Sequence, residues 1–136
     1  VTLSNTFMMY FKAHSYHWNV EGPMFAEYHK FLGKLYEELF DAVDPLAEQI
    51  RTLDEYAPYS LTDLYRAKTT NEDPMKPNDF KEMVMSLLMY NEKVLESLNM
   101  TFKLANDLNK QGLADFIAGR IDVHNKHAWM LRSFIK

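Results

Sequence analysis

Residues 14–29 read HSYHWNVEGPMFAEYH and hold three of the five histidines, one of the two tryptophans and a Gly-Pro break. Upstream of the break, Leu3, Phe7, Tyr10, Phe11, His14, Trp18 and Glu21 recur in steps of three and four, one stripe of a helix that ends at Gly22-Pro23. Downstream, Tyr28, Phe31, Leu35, Leu39, Val43, Leu46 and Ile50 repeat the pattern from Met24 to Leu53. That stretch is long enough for one side of a helical bundle. Pro45 lies inside it and lacks a backbone donor, so a bend is expected there. If the two helices run antiparallel about the break, His17 and His29, each six residues from Pro23, come level and can share a site.

Composition sets the frame for that hairpin. The chain has 136 residues, of which 47% are hydrophobic and 14% aromatic, enough for one domain, residues 1–136, with its own core. Four glycines, few β-branched runs and no Asn-Gly turn argue against a sheet. Net charge is −4 with no long block of either sign, so nucleic acid and anionic membranes are not the default partners. No cysteine is present, which excludes disulfides and thiolate sites and leaves any metal to nitrogen and oxygen ligands. No apolar run reaches the length of a membrane span and no leader pattern is read, so the expectation is a soluble cytoplasmic protein.

The second half repeats the helical logic. Residues 54–79 hold three of the five prolines and the polar run TTNEDPMKPND, a long connection in which Ser60 can cap a short helix to about Lys68. Asp79 with Glu82 predicts a capping box for a third long helix bearing Phe80, Val84, Leu87, Val94, Leu98, Phe102, Ala105 and Leu108, closed by Gly112. A last helix, about Leu113–Ile135, aligns Phe116, Ile117, Ile121, His124, Ala128, Leu131 and Ile135. The expected fold is therefore all-α: a ferritin-like four-helix bundle whose long crossover between the second and third helices carries a short helix.

Bundles that hold two metals at their own centre use Glu-x-x-His on two helices, and no glutamate here has a histidine three residues on. The candidate ligands are His17, His29 and an acidic stripe, Glu37, Asp41, Asp44 and Glu48, whose spacing puts four carboxylates on one helix face. As a bare charge pattern such a stripe reads first as a solvated surface. Asp44 lies fifteen residues beyond His29, roughly 22 Å along a helix axis, so one chain cannot bring His17 and Asp44 to one metal. A second copy packed antiparallel about a two-fold axis can supply its Asp44 and Glu48 to the first copy's histidines.

At these residues the chain resembles the Dps mini-ferritins, DNA-protecting proteins of starved cells. The resemblance rests on HWNVEGPMF, on His29 twelve residues after His17, on DPLAEQI with Asp44 and Glu48, on SLTDLYRA in the crossover and on HNKHAWMLRS in the last helix. It implies a ferroxidase, an oxidoreductase that converts Fe(II) to Fe(III) with hydrogen peroxide or O2 and stores ferric iron in a dodecameric homo-oligomer. It further implies that His17 of one subunit and Asp44 and Glu48 of its two-fold mate bind the first iron, with His29 near the second and Trp18 beside the site.

The family pattern has aspartate four residues after the second histidine, where this chain has Gly33. A glycine there leaves the second iron position to water, or marks a close helix crossing. The alternatives are a DNA-compacting or structural shell, and a degenerate site occupied by zinc as a substitute metal. Many similar proteins coat DNA through a lysine-rich tail, but the first eleven residues contain no Lys or Arg and each chain carries −4. DNA binding is therefore expected to be weak or absent. Trp18 reads equally as core packing, His14, His124 and His127 as packing or surface residues, the methionines as gap-filling core or interface, and Asp115 as a charge matched to a helix N-terminus.

Overall fold

The computed structural model describes residues 1–136 as five helices and no strands: α1 Thr2–Asn19, α2 Phe25–Thr52, α3 Leu61–Ala67, α4 Phe80–Asp107 and α5 Gln111–Ser133. The four long helices form the bundle, and α3 lies in the crossover between α2 and α4, as the helical periodicities and the Pro-rich interval require. None of the helices is long and apolar enough to cross a membrane.

Contacts fix the directions. Thr2 meets Thr101, so α1 runs antiparallel to α4. Tyr28 stacks on Phe80 with centroids 3.6 Å apart, which sets the starts of α2 and α4 side by side. Phe31 packs on Phe134, so α5 returns antiparallel to α2. Buried side chains from all four helices close the centre, among them Met9, Leu39, Val94 and Leu131, each fully enclosed. Full enclosure of residues of this size stabilises by roughly 1.5–3 kcal/mol each.

The core face of α1 differs from the stripe read in the sequence. Leu3, Thr6, Met9, Ala13 and Tyr16 point inward, whereas Phe11 and Trp18 of the predicted stripe are 51% and 58% exposed. The close-packed centre takes Leu3, Thr6, Met9, Ala13 and Tyr16, with Tyr10 packed against it. Phe11 and Trp18 are left on the outside.

The ends of α2 and α4 are closed by residues with left-handed backbone. Asp54 (φ 63°) and Asn109 (φ 56°) each follow a helix end. Asn109 N–H donates to the Asn106 carbonyl at 3.0 Å and Lys110 N–H to the Ala105 carbonyl at 2.8 Å, a Schellman closure. The stop expected at Gly112 is thus made three residues earlier by Asn109, and Gly112 lies in the first turn of α5. Asparagine tolerates this backbone region, which sequence reasoning assigns first to glycine. Ser60 caps α3 as expected, accepting from Asp63 N–H at 3.1 Å. Asp79 likewise accepts from Glu82 N–H at 2.9 Å, but Glu82 reaches back to Asn78 N–H at 2.7 Å, one residue outside the expected box. Helix α2 continues through Pro45.

The crossover is latched by Asn5, which is fully buried on α1. Its amide oxygen accepts from Thr69 N–H at 2.8 Å, while its amide nitrogen donates to Thr69 Oγ1 at 2.8 Å and to the Lys93 carbonyl at 3.2 Å. One side chain therefore ties α1, the crossover and α4 together.

Between α2 and α5 the seam is polar. Arg120 donates to both oxygens of Glu38, at 2.5 and 3.0 Å, and His127 Nε2 donates to Glu38 Oε1 at 2.7 Å. Behind them His124, fully buried, donates from Nδ1 to Asn91 Oδ1 at 2.7 Å, leaving Nε2 to accept from Arg120 at 3.2 Å. Burial alone would raise the Glu38 pKa. The hydrogen bonds and charges of His127 and Arg120 outweigh it and hold the carboxyl at about 2. His124 is pushed down to about 3 by burial first and then by the charges of Arg120 and His127, against the opposing pull of Glu38.

Both shifts make the fold acid-sensitive. Stability is full above the ordinary histidine value of 6.5 and falls below it, because the unfolded chain protonates His124 while the folded one resists down to about 3. Glu38 adds a second loss from its ordinary 4.5 down to about 2. Denaturant midpoints measured against pH should show His124→Gln flattening the loss that begins near 6.5, and Glu38→Gln flattening only the more acidic part. At neutral pH Glu38→Ala should cost about 2–3 kcal/mol, less than for a fully enclosed pair because Glu38 is partly exposed.

Candidate metal centre

The hairpin brings His17 and His29 into face-to-face contact, with ring centroids 3.6 Å apart and planes 20° from parallel. Each ring reaches across to the other's backbone. His17 Nδ1 lies 2.8 Å from the His29 carbonyl oxygen, and His29 Nδ1 lies 2.8 Å from the His17 carbonyl oxygen. A carbonyl only accepts, so both Nδ1 atoms carry the proton and both Nε2 atoms present a lone pair. Fixing a histidine's tautomer through its other nitrogen is how metal-binding imidazoles are prepared. Both Nε2 atoms are thereby left without a partner in the chain.

Local structure explains the pair. The His17 carbonyl belongs to the last turn of α1, where carbonyls lack an intrahelical donor, and His29 supplies one. The His29 carbonyl lies one turn before Gly33. A helical Cβ tilts toward the helix N-terminus, so a side chain at 33 would overhang that carbonyl. A Cβ built on Gly33 comes within 3.2 Å of His17 Cε1 and 3.3 Å of Nδ1. The room that the sequence reading left to water is occupied by the His17 ring itself.

An aromatic belt continues from the pair. Tyr36 stacks on His14 at 3.8 Å and meets His17 edge-on at 5.1 Å, and Phe25 stacks on His29 at 4.8 Å. Tyr10 Oη lies 3.1 Å from His14 Nδ1. Burial, and then the charge of His17, lowers the His14 pKa. Sequence reading gave Tyr36 no role, although it stands seven residues, two helical turns, after His29. Trp18 contacts His14 at 4.1 Å and Phe11 at 6.3 Å. Its exposure rules out the core-packing alternative.

The carboxylates are elsewhere. Asp44 and Glu48 stand on α2 with Glu37 and Asp41, all exposed, and nowhere in one chain do three His, Asp or Glu side chains gather around a common point. The structure pairs the two histidines and leaves the acidic ligands of the sequence reading unpaired with them.

A ferritin-like domain model matches residues 2–136. A low temperature-induced protein of Nostoc is 32% identical over 135 residues, covering 98% of this chain and 75% of the relative. The chain belongs to the Dps family, within the ferritin-like proteins. DNA protection during starvation protein 2 of Bacillus anthracis is 27% identical over 128 residues, 94% of this chain and 87% of the relative. Among solved structures, a Dps protein of Vibrio cholerae O1, described as a member of a broad superfamily of ferritin-like diiron-carboxylate proteins, superimposes with a TM-score of 0.93. It is 26% identical and covers 99% of this chain and 84% of that one. Membership carries a mini-ferritin role in iron handling.

In this Dps chain Gly33 has two opposing effects. Gly33→Ala gains up to about 1 kcal/mol of helix propensity while pressing a Cβ against His17. We expect the thermal midpoint to hold or rise while affinity for Co(II), read from its visible absorption, falls several-fold. Unchanged Co(II) binding would show that the imidazole does not depend on the glycine.

Proposed function

We propose that this protein is a ferroxidase and iron store whose metal centre is completed between two subunits, in a dodecameric shell, with Fe(II) and hydrogen peroxide or O2 as substrates. The observation that carries the reading is the reciprocal His17–His29 lock, which leaves two Nε2 lone pairs and no third ligand within the chain. Imidazole and carboxylate together suit iron, the carboxylates favouring the ferric state by charge. In this reading His17 of one subunit with Asp44 and Glu48 of its two-fold mate hold the first iron, and His29 faces the second.

Two further features support an intersubunit site. Asp44 and Glu48 are exposed on α2 and free to face another copy. The outward stripe of α1, with Phe11 and Trp18, continues into Met24, Phe25 and Phe40, all more than 40% exposed and grouped around the histidine hairpin. An apolar patch beside a half-built site is the signature of an interface. The reaction balances simply. Two Fe(II) each give one electron, hydrogen peroxide takes both, its O–O bond breaks, and two hydroxides form. Trp18 and Tyr36, close to the histidines, are placed to intercept one-electron oxidants that escape.

Complementation tests the shared site. His17→Ala and Asp44→Ala should each abolish rapid iron oxidation, measured by ferric absorbance after peroxide addition to anaerobic Fe(II) protein. Co-assembled shells of the two variants should regain about a quarter of the wild-type sites, since half of random dimers are mixed and each mixed dimer has one intact site. No recovery in shells shown by mass spectrometry to be mixed would place the site within one subunit. Zinc binding without iron oxidation in the wild-type protein would favour the structural alternative.

A further inference from the structure

A cleft of about 440 Å³ opens between α2 and α5, with neither His17 nor His29 in its lining. Its polar side is formed by Lys34, Glu38, Lys126 and His127, and its apolar side includes Phe31, Leu35 and Met130. His127 is nine-tenths buried and oriented: Nε2 donates to Glu38 at 2.7 Å, and Nδ1 has no protein partner. The Glu38 charge is met from behind by Arg120, while Lys34 and Lys126 have no ion-pair partner. In a chain of net charge −4 this cleft is locally positive.

We propose that the α2–α5 cleft binds a small organic acid, its carboxylate held by Lys34 and Lys126 and its apolar body lying on Phe31, Leu35 and Met130. Two free lysines, with Arg120 behind the carboxylate, oppose a metal cation. A bare inorganic anion would leave the apolar half of the lining without a partner. The volume falls in the range of small-molecule sites, about 300–1,000 Å³, in which a few polar groups orient a mostly apolar body.

The test uses the assembled protein and titration calorimetry, with hexanoate as the probe and acetate, hexanol, hexylamine and inorganic phosphate as comparisons. Hexanoate should bind saturably at one per chain, about tenfold or more tighter than acetate (head only) or hexanol (body only), with hexylamine silent. The double variant Lys34→Gln, Lys126→Gln changes only exposed side chains. It should weaken hexanoate about tenfold while leaving the helical circular dichroism and thermal midpoint unchanged. The proposal is overturned if hexanoate is no tighter than acetate, if phosphate binds as tightly as hexanoate, or if the folded double variant binds hexanoate as well as the parent.

Discussion

Two hydrogen bonds, each from an imidazole to the other helix's backbone, set the geometry on which the centre depends. They close the first hairpin by giving the last turn of α1 a donor that it otherwise lacks. They also fix both tautomers and seat the His17 ring so close to Gly33 that an added Cβ would press on it. One pair of contacts therefore serves the fold and, in the proposed metal centre, would also prepare the ligands. The His29 ring cannot be moved without disturbing the helix end that it satisfies.

The long helix α2 divides its surface among three tasks. Leu32, Leu35, Leu39 and Leu46 face the core. Glu38 turns toward α5 and meets Arg120 and His127, closing a seam where apolar packing alone leaves a cleft. Glu37, Asp41, Asp44 and Glu48 stay exposed. Glu38 and its neighbour Glu37 thus have opposite fates. One is held ionised within the molecule by a guanidinium and an imidazole, and the other is left to solvent. A carboxylate drawn into the seam stabilises it only while Arg120 remains paired, since the buried guanidinium without its partner would cost more than the pair contributes.

Much of this was legible in the sequence, and the exceptions have physical reasons. Periodicity located four long helices, and equal distance from Pro23 brought His17 level with His29, because helix rise is constant. Capping chemistry placed Ser60 and Asp79 correctly, whereas the close of α4 went to Asn109 because more than one residue type tolerates left-handed backbone. The face of α1 could not be read from hydrophobicity alone, since Phe11 and Trp18 lie outside while Asn5 lies inside. The clamp of Glu38, Arg120, His124, His127 and Asn91 also escaped notice. Its members are 33 to 89 residues apart across helices and share no short motif, apart from His124 and His127 lying four and seven residues after Arg120. Gly33 was seen as a missing ligand, but that its bare backbone seats His17 required coordinates.

In the intersubunit reading, the half-built centre and the outward aromatic stripe act on the same equilibrium. The bundle buries a core sufficient for one chain but leaves Phe11, Trp18, Phe25 and Phe40 in water around the histidines. Covering them favours association without any metal. An ion that needs ligands from both copies binds only the assembled state, and stabilises it by RT ln(1 + [M]/Kd), about 2.7 kcal/mol when the ion is at a hundred times its Kd. Linkage is reciprocal, so apolar contacts that hold two copies together also raise affinity for the ion by preorganising its ligands. A chain that kept all its ligands to itself would have no such coupling. A site divided in this way would make iron capture a property of the shell, where the oxidised product can be retained.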